Sequence, residues 1–183
     1  MAPATTPAPP EVEPMIAGSA LTTRVDELAL EIAGVMPADC IVVGILTGSF
    51  VFVADLVRAL DRHGLGPEVR FLQLASYGMG TESTGEVQVL GSLAGRFEGR
   101  EVLVVDDIQD TGHTLAVASR ILLDRGAARV RTCALLDKPS RRAVEFQADF
   151  VGFTIPDVFV VGYGIDYAER YRHLPFIGAV RTD

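Results

Sequence analysis

Tryptophan is absent from this chain, cysteine and histidine are scarce at two and three residues, and basic charge is in deficit, with sixteen Lys and Arg against twenty-four Asp and Glu. Each scarcity excludes a class of function. Cys40 and Cys133 lie in or beside apolar runs (CIVVGIL and TCALL), which reads as two buried thiols in a reducing compartment, not a disulfide framework or a metal pair. His63, His113 and His173 show neither H-x-x-x-H nor Cys/His spacing, so no histidine-built metal centre is expected. A net charge of −8 disfavours a broad nucleic-acid surface, which needs basic side chains. Although 49% of the residues are hydrophobic, no run approaches the ~20 apolar residues that span a bilayer, so no membrane partner is expected. The N-terminus has no basic start followed by an apolar core, so no secretory leader is expected and the location is expected to be cytoplasmic. Phosphate loops of the G-x-x-x-x-G-K-S/T and G-x-G-x-x-G kinds are also missing.

What is present is a chain of 183 residues, enough for one domain with a sizeable core. Residues 1–14, rich in Pro, Ala and Thr, are expected to form a disordered tail, leaving 15–183 as a single domain. Apolar spacing then predicts a helix capped by Thr22 or Thr23, with Val25, Leu28, Ala29, Ile32 and Ala33 on one face and Pro37 closing it. Residues 41–46 form a short continuous apolar run, typical of a strand buried on both faces. Phe50, Val53, Val57 and Leu60 mark a second helix, ended by His63-Gly64. Residues 69–75 and 86–90 read as strands around a glycine-containing loop, and 130–136 as another strand. Residues 149–153 and 159–161 are short apolar runs near the end. Strands alternating with helices predict an α/β fold with a central, mainly parallel sheet flanked by helices. Ligands of such sheets bind beyond the carboxyl ends of the strands, where LTGS, ASYG, DDIQDTG and LLDK all fall.

Residues 102–114, VLVVDDIQDTGHT, say more than any other segment. A buried strand, 102–105, ends in the carboxylates Asp106 and Asp107; Asp110, Thr111, Gly112, His113 and Thr114 follow, and an apolar-striped helix begins at Leu115. A small-residue loop opening into a helix N-terminus is an anion site, because unpaired N–H groups and the helix dipole both point at the loop. Acids beside such a cradle suit a ligand that also carries a diol, a bound cation or a proton to be removed. The plain alternative is a solvated loop whose Asp and Thr merely cap a helix.

Two acids after a strand, then an acid and T-G-x-T, resemble the phosphoribosyl-diphosphate signature of the type I phosphoribosyltransferases. The resemblance extends over about residues 21–180 and narrows to the hypoxanthine-guanine phosphoribosyltransferases through LTGSFVF, ASYGMGTESTGEV, LLDKPSRR and IPDVFVVGYGIDYAERYRHLPFIG. It implies the type I fold with a small hood built from the chain ends, Mg²⁺ as cofactor, phosphoribosyl diphosphate and 6-oxopurine bases as substrates, and a homodimer or homotetramer. By resemblance Asp106 and Asp107 hold the ribose hydroxyls and the metal. Residues 110–114 cradle the 5′-phosphate, with Asp110 also the general base or acid for N7 of the purine. Leu46, Thr47, Gly48 and Arg172 take the diphosphate, and Ser76 and Tyr77 begin a lid that excludes water from an oxocarbenium-like centre. Lys138 donates to O6 of the base, Phe159 stacks on it and Val160 offers backbone groups to its edge, while Asp166 lies near the metal and the base. Relatives often carry Lys or Arg where Thr47 stands, and commonly Glu-Asp where this chain has Asp106-Asp107.

The implied activity is purine salvage: magnesium-dependent transfer of a 5-phosphoribosyl group to N9 of hypoxanthine or guanine, giving IMP or GMP and diphosphate. The competing class is an RNA-binding regulator on the same fold, such as the pyrimidine-operon attenuation proteins, against which the −8 charge argues. A xanthine-preferring enzyme is the nearer rival. Discrimination among hypoxanthine, guanine and xanthine lies at C2 and is not legible in side-chain identity.

Overall fold

The computed structural model describes residues 11–76, 87–90 and 93–181. Its centre is a six-stranded sheet in the order β4-β3-β2-β5-β6-β7, formed by β2 (Ile41–Leu46), β3 (Glu68–Ser76), β4 (Val87–Val89), β5 (Glu101–Gln109), β6 (Arg129–Asp137) and β7 (Phe150–Thr154). The five strands from β3 to β7 run parallel, and β4 joins antiparallel at the edge. The helices are α1 (Gly18–Ala33), α2 (Phe50–Arg62) and α3 (His113–Asp124).

The period of two along each strand divides the core. Val42, Leu103, Val105, Cys133 and Leu135 face the layer of α1 and α2, with Leu28, Ile32, Phe52 and Leu56. Ile41, Val43, Val102, Val104 and Ala134 face α3, with Leu115, Ala118 and Leu122. Burial on both faces is why 41–46 and 102–105 read as unbroken apolar runs and not as alternation. Both cysteines are free and buried, and burial pushes the Cys40 thiol up to about 11.

The chain ends build a second, three-stranded antiparallel sheet, β1-β9-β8, from β1 (Val12–Ile16), β8 (Val160–Val161) and β9 (Ile177–Val180). This is the expected hood. Its first strand corrects the expected tail, since Val12, Glu13 and Pro14 pair with Val180, Ala179 and Gly178. Two other expectations are corrected. α1 begins at Gly18, so Thr22 and Thr23 lie inside it and their hydroxyls donate to the carbonyls of Gly18 and Ser19; a hydroxyl one turn into a helix satisfies itself by back-bonding as readily as by capping. β5 does not stop at Val105 but continues to Gln109, because β6 still offers a partner strand there. Among the described residues no helix is long and apolar enough to cross a membrane.

Candidate active site

The carboxyl ends of β2, β5 and β6 lie side by side, but not flush. β2 pairs with β5 only as far as Gly44 and Val105, whereas β6 accompanies β5 to Gln109 and Asp137. Asp106 and Asp107 therefore stand on a stretch of β5 that β2 has left. The turn after β2 closes onto that stretch: the Leu46–Thr47 peptide is cis, and a Cβ built on Gly48 would lie 2.2 Å from Asp107 Oδ2. Only a glycine lets this backbone approach the carboxylate so closely. Behind the turn, the buried Ser49 hydroxyl donates to Ile45 O at 2.5 Å, while Thr47 is exposed.

The two acids share an expensive environment. Asp106 is 5% exposed, and burial, followed by the charge and hydrogen bond of Asp107, pushes its carboxyl well above the usual range. Burial also raises Asp107, against the hydrogen bond from Asp106 and the positive charge of Arg172, which lower it. Both carboxyls are thus held above the usual range, and the pair titrates as a unit. Asp166 is close enough for its charge to be felt at Asp107, but its own carboxylate is taken by Arg172 Nη2 at 2.9 Å and by the Glu169 N–H. Among the described residues no three His, Cys, Asp or Glu side chains gather into a metal-holding group.

The expected anion cradle lies at the start of α3. Gly112 precedes the helix with φ of +90°, a left-handed conformation that favours glycine, and a Cβ there would press on Val144 and Arg142 at 3.0 and 3.1 Å. Thr111 O accepts from the Ala143 and Val144 N–H groups, and the His113 N–H lies 3.5 Å from Thr111 Oγ1. Gln109 anchors the cradle from below: it is 1% exposed, its amide donates to Phe146 O and its carbonyl accepts from the Ala148 N–H. Asp110 is partly exposed, and its carboxylate accepts from Arg141 Nε at 3.1 Å. Arg142 donates to Asp110 O at 2.6 Å and pairs with Asp137.

Lys138, 7% exposed, follows β6, and its ammonium is 3.9 Å from Asp157, which Arg141 also approaches at 3.7 Å. Phe159 keeps 48% of its surface exposed and makes a T-shaped contact with Tyr167, at 5.4 Å between centroids and 86° between planes. Val160 is buried in β8. From the hood, Arg172 Nη1 donates to Gly164 O at 2.9 Å, and a Cβ on Gly164 would meet Gly48 O at 2.2 Å. Residues 46–48 and Arg172, far apart in sequence, thus belong to one place. Of the expected lid, Ser76 ends β3 and Tyr77 lies outside the described residues.

Gln109, Arg141, Asp157 and Tyr163 were not singled out by sequence reasoning. Arg141 and Asp157 sit within motifs that drew attention, LLDKPSRR and IPDVF, but their mutual approach depends on the closure of 138–142 over 110. Gln109 gave no signal beyond being a polar residue in the loop expected after the strand 102–105.

The phosphoribosyl transferase domain family matches residues 17–168 of this chain. The hypoxanthine phosphoribosyltransferase of Escherichia coli (strain K12) is 46% identical over 172 residues, 92% of this chain and 95% of its own length. The corresponding protein of Haemophilus influenzae is 44% identical over 173 residues, with the same coverage of both chains. Among solved structures, a hypoxanthine-guanine phosphoribosyltransferase from Bacillus anthracis with a HEPES molecule in its active site superposes with a TM-score of 0.87 at 42% identity, over 93% of this chain and all of that one.

Proposed function

The chain belongs to the phosphoribosyl transferase family and, within it, to the hypoxanthine phosphoribosyltransferases of purine salvage, and from that membership we propose that it transfers a 5-phosphoribosyl group from phosphoribosyl diphosphate to N9 of hypoxanthine or guanine with the aid of magnesium. The observation that carries the residue assignment is the adjacent acid pair after β5, with Asp106 buried and the Asp107 carboxylate against the Gly48 backbone. Two carboxyls sharing one proton in a dry site suit a divalent cation, which takes the place of that proton. Magnesium commonly uses one or two carboxylates and completes its shell with water and phosphate, which suits Asp106 and Asp107 with the Asp166 charge near them. Asp106 and Asp107 are the residues that would hold it, and bound magnesium supplies charge neutralisation for the departing diphosphate.

The remaining roles fall to this chain's own groups. Asp106 and Asp107 orient the ribose hydroxyls, and their negative charge favours the cationic C1′ that develops as the bond to diphosphate breaks. The backbone N–H groups of 111–114, with the Thr111 and Thr114 hydroxyls, hold the 5′-phosphate at the start of α3. The Gly48 backbone and the Arg172 guanidinium bind the diphosphate, Arg172 through a planar fork suited to phosphate oxygens. Phe159 stacks on the purine. Lys138 donates to O6, which favours a 6-oxopurine over adenine, whose amino group would meet a donor. Asp110 takes or returns the N7 proton.

The test is a spectrophotometric assay with magnesium, phosphoribosyl diphosphate and hypoxanthine, guanine, xanthine or adenine in separate reactions. Turnover of hypoxanthine or guanine with adenine inert is expected; no turnover of any of the four would overturn the reading.

A further inference from the structure

We propose that Tyr163 and Asp55 form a positioning pair that holds the two halves of the diphosphate site in register. The inference deepens the function proposed above and rests on it. The Tyr163 hydroxyl donates to Asp55 Oδ2 at 2.5 Å, while Arg58 pairs with the other oxygen of the same carboxylate. Asp55 lies on α2, the helix that begins immediately after the Gly48 turn. Tyr163 lies in the hood, between β8 and β9, which pair with each other. The bond therefore ties the element that carries Gly48 to the segment that carries Arg172.

What lies between the tie and the site is backbone stacked on backbone. Gly164 is seated on Gly48 O, and Gly48 is seated on the Asp107 carboxylate, each so closely that a Cβ at 164 or 48 would stand 2.2 Å from the atom beneath. The Tyr163 N–H bonds to Leu174 O, the Gly164 N–H to Arg172 O, and Arg172 Nη1 to Gly164 O. A shift of 163–164 thus moves the Arg172 guanidinium and the Gly48 turn relative to each other. Tyr163 itself is held at φ of +50°, between glycines at +100° and +102°, a strained conformation for a residue with a Cβ. The strain is offset where the ring is packed and its hydroxyl has a partner. Tyr163 is 8% exposed, and burial and Asp55 raise its phenol, which stays a donor across the physiological range. Neither Tyr163 nor Asp55 is assigned a contact with substrate.

A general loss of stability would weaken both substrates alike; a positioning role singles out the donor. Tyr163→Phe keeps the ring and removes the hydroxyl. It is expected to raise KM for phosphoribosyl diphosphate and to weaken product inhibition by inorganic diphosphate, each roughly tenfold, the scale of one lost hydrogen bond to a charged group. KM for hypoxanthine should stay within about twofold. Asp55→Ala should match it, Asp55→Asn, which keeps an acceptor oxygen, should restore most of the loss, and Tyr163→Phe with Asp55→Ala should be no worse than either alone. Equal rises in both KM values, an unchanged donor KM, or additive losses would overturn the proposal. If the wild type turns over no base, the functional reading fails by itself. The pair is then tested by titrating inorganic diphosphate with magnesium into wild type and Tyr163→Phe: roughly tenfold weaker binding in the variant supports it, and equal or undetectable binding in both overturns it.

Discussion

Asp106 and Asp107 burden the free protein, and the sign of that burden is testable. A carboxyl that titrates higher in the folded than in the unfolded state binds its proton more tightly when folded. The pair's contribution to stability is then greatest in acid and falls as pH rises from the ordinary carboxylate range through the raised one. In metal-free buffer at neutral pH, Asp106→Asn is expected to melt higher than wild type, by about 2–4 °C for each kcal/mol of relieved repulsion, and the difference should vanish below about pH 4. Thermal melts across pH with a chelator present check this; a lower Tm for the variant at neutral pH would contradict it. Asp110 is different, since its carboxylate is partly exposed and tied to Arg141. Asp110→Asn keeps an oxygen for the Arg141 donor, so the loop keeps its geometry and the loss isolates proton transfer. Turnover at saturating substrates should fall roughly 10²–10⁴-fold, and a near-normal kcat would remove Asp110 from the chemistry. The identities of these acids were legible in DDIQD because three carboxylates in five residues have little structural use. That burial raises both Asp106 and Asp107 was not, because the surroundings that exclude water come from other strands.

At the scale of elements, the turn after β2 and the segment before Arg172 meet through glycines whose constraints differ. At Gly48 a methyl would collide with the end of the Asp107 side chain, which can rotate away. At Gly164 it would collide with a backbone carbonyl, and the φ of +102° is one that alanine disfavours. Gly48→Ala is therefore expected to fold with a near-normal Tm yet lose most of its activity. Gly164→Ala should cost about 1–3 kcal/mol of stability as well, read as a Tm several degrees lower. Equal Tm values for the two variants would show that the backbone has room to move. Continuous apolar runs marked β2 and the start of β5 correctly, since burial on both faces leaves no polar position. β1 and β9 were missed. VEPMI and IGAV are too short for a periodicity to emerge, and each becomes a strand only because the other is there to pair with it. The far end of β5 was missed for the same reason, its last residues being extended by β6 and not by their own preference.

For the whole molecule, the hood joins Val12–Ile16 to Ile177–Val180, so the segment bearing Phe159, Asp166 and Arg172 is anchored at both chain ends over the edge of the central sheet. A donor that spans the α3 cradle, the acid pair and the hood stabilises the folded state as one body. Phosphoribosyl diphosphate with magnesium at about a hundred times its Kd should add about 2.7 kcal/mol, raising Tm by roughly 5–10 °C. No shift under saturating donor would mean that these parts do not bind one ligand. The order of strands and helices, and with it an α/β sheet whose loops gather at one edge, was determined by the sequence alone, because hydrophobic period and turn residues act over a few neighbours. The 110–114 loop at the start of α3 was legible for the same reason: its acid, threonines and glycine are contiguous. The pairing of Gly48 with Gly164, of Tyr163 with Asp55 and of Arg141 with Asp110 was decided only by the tertiary structure. Those contacts join residues whose local preferences carry no information about one another, and only packing the layers around a common core brings them within a hydrogen bond's reach.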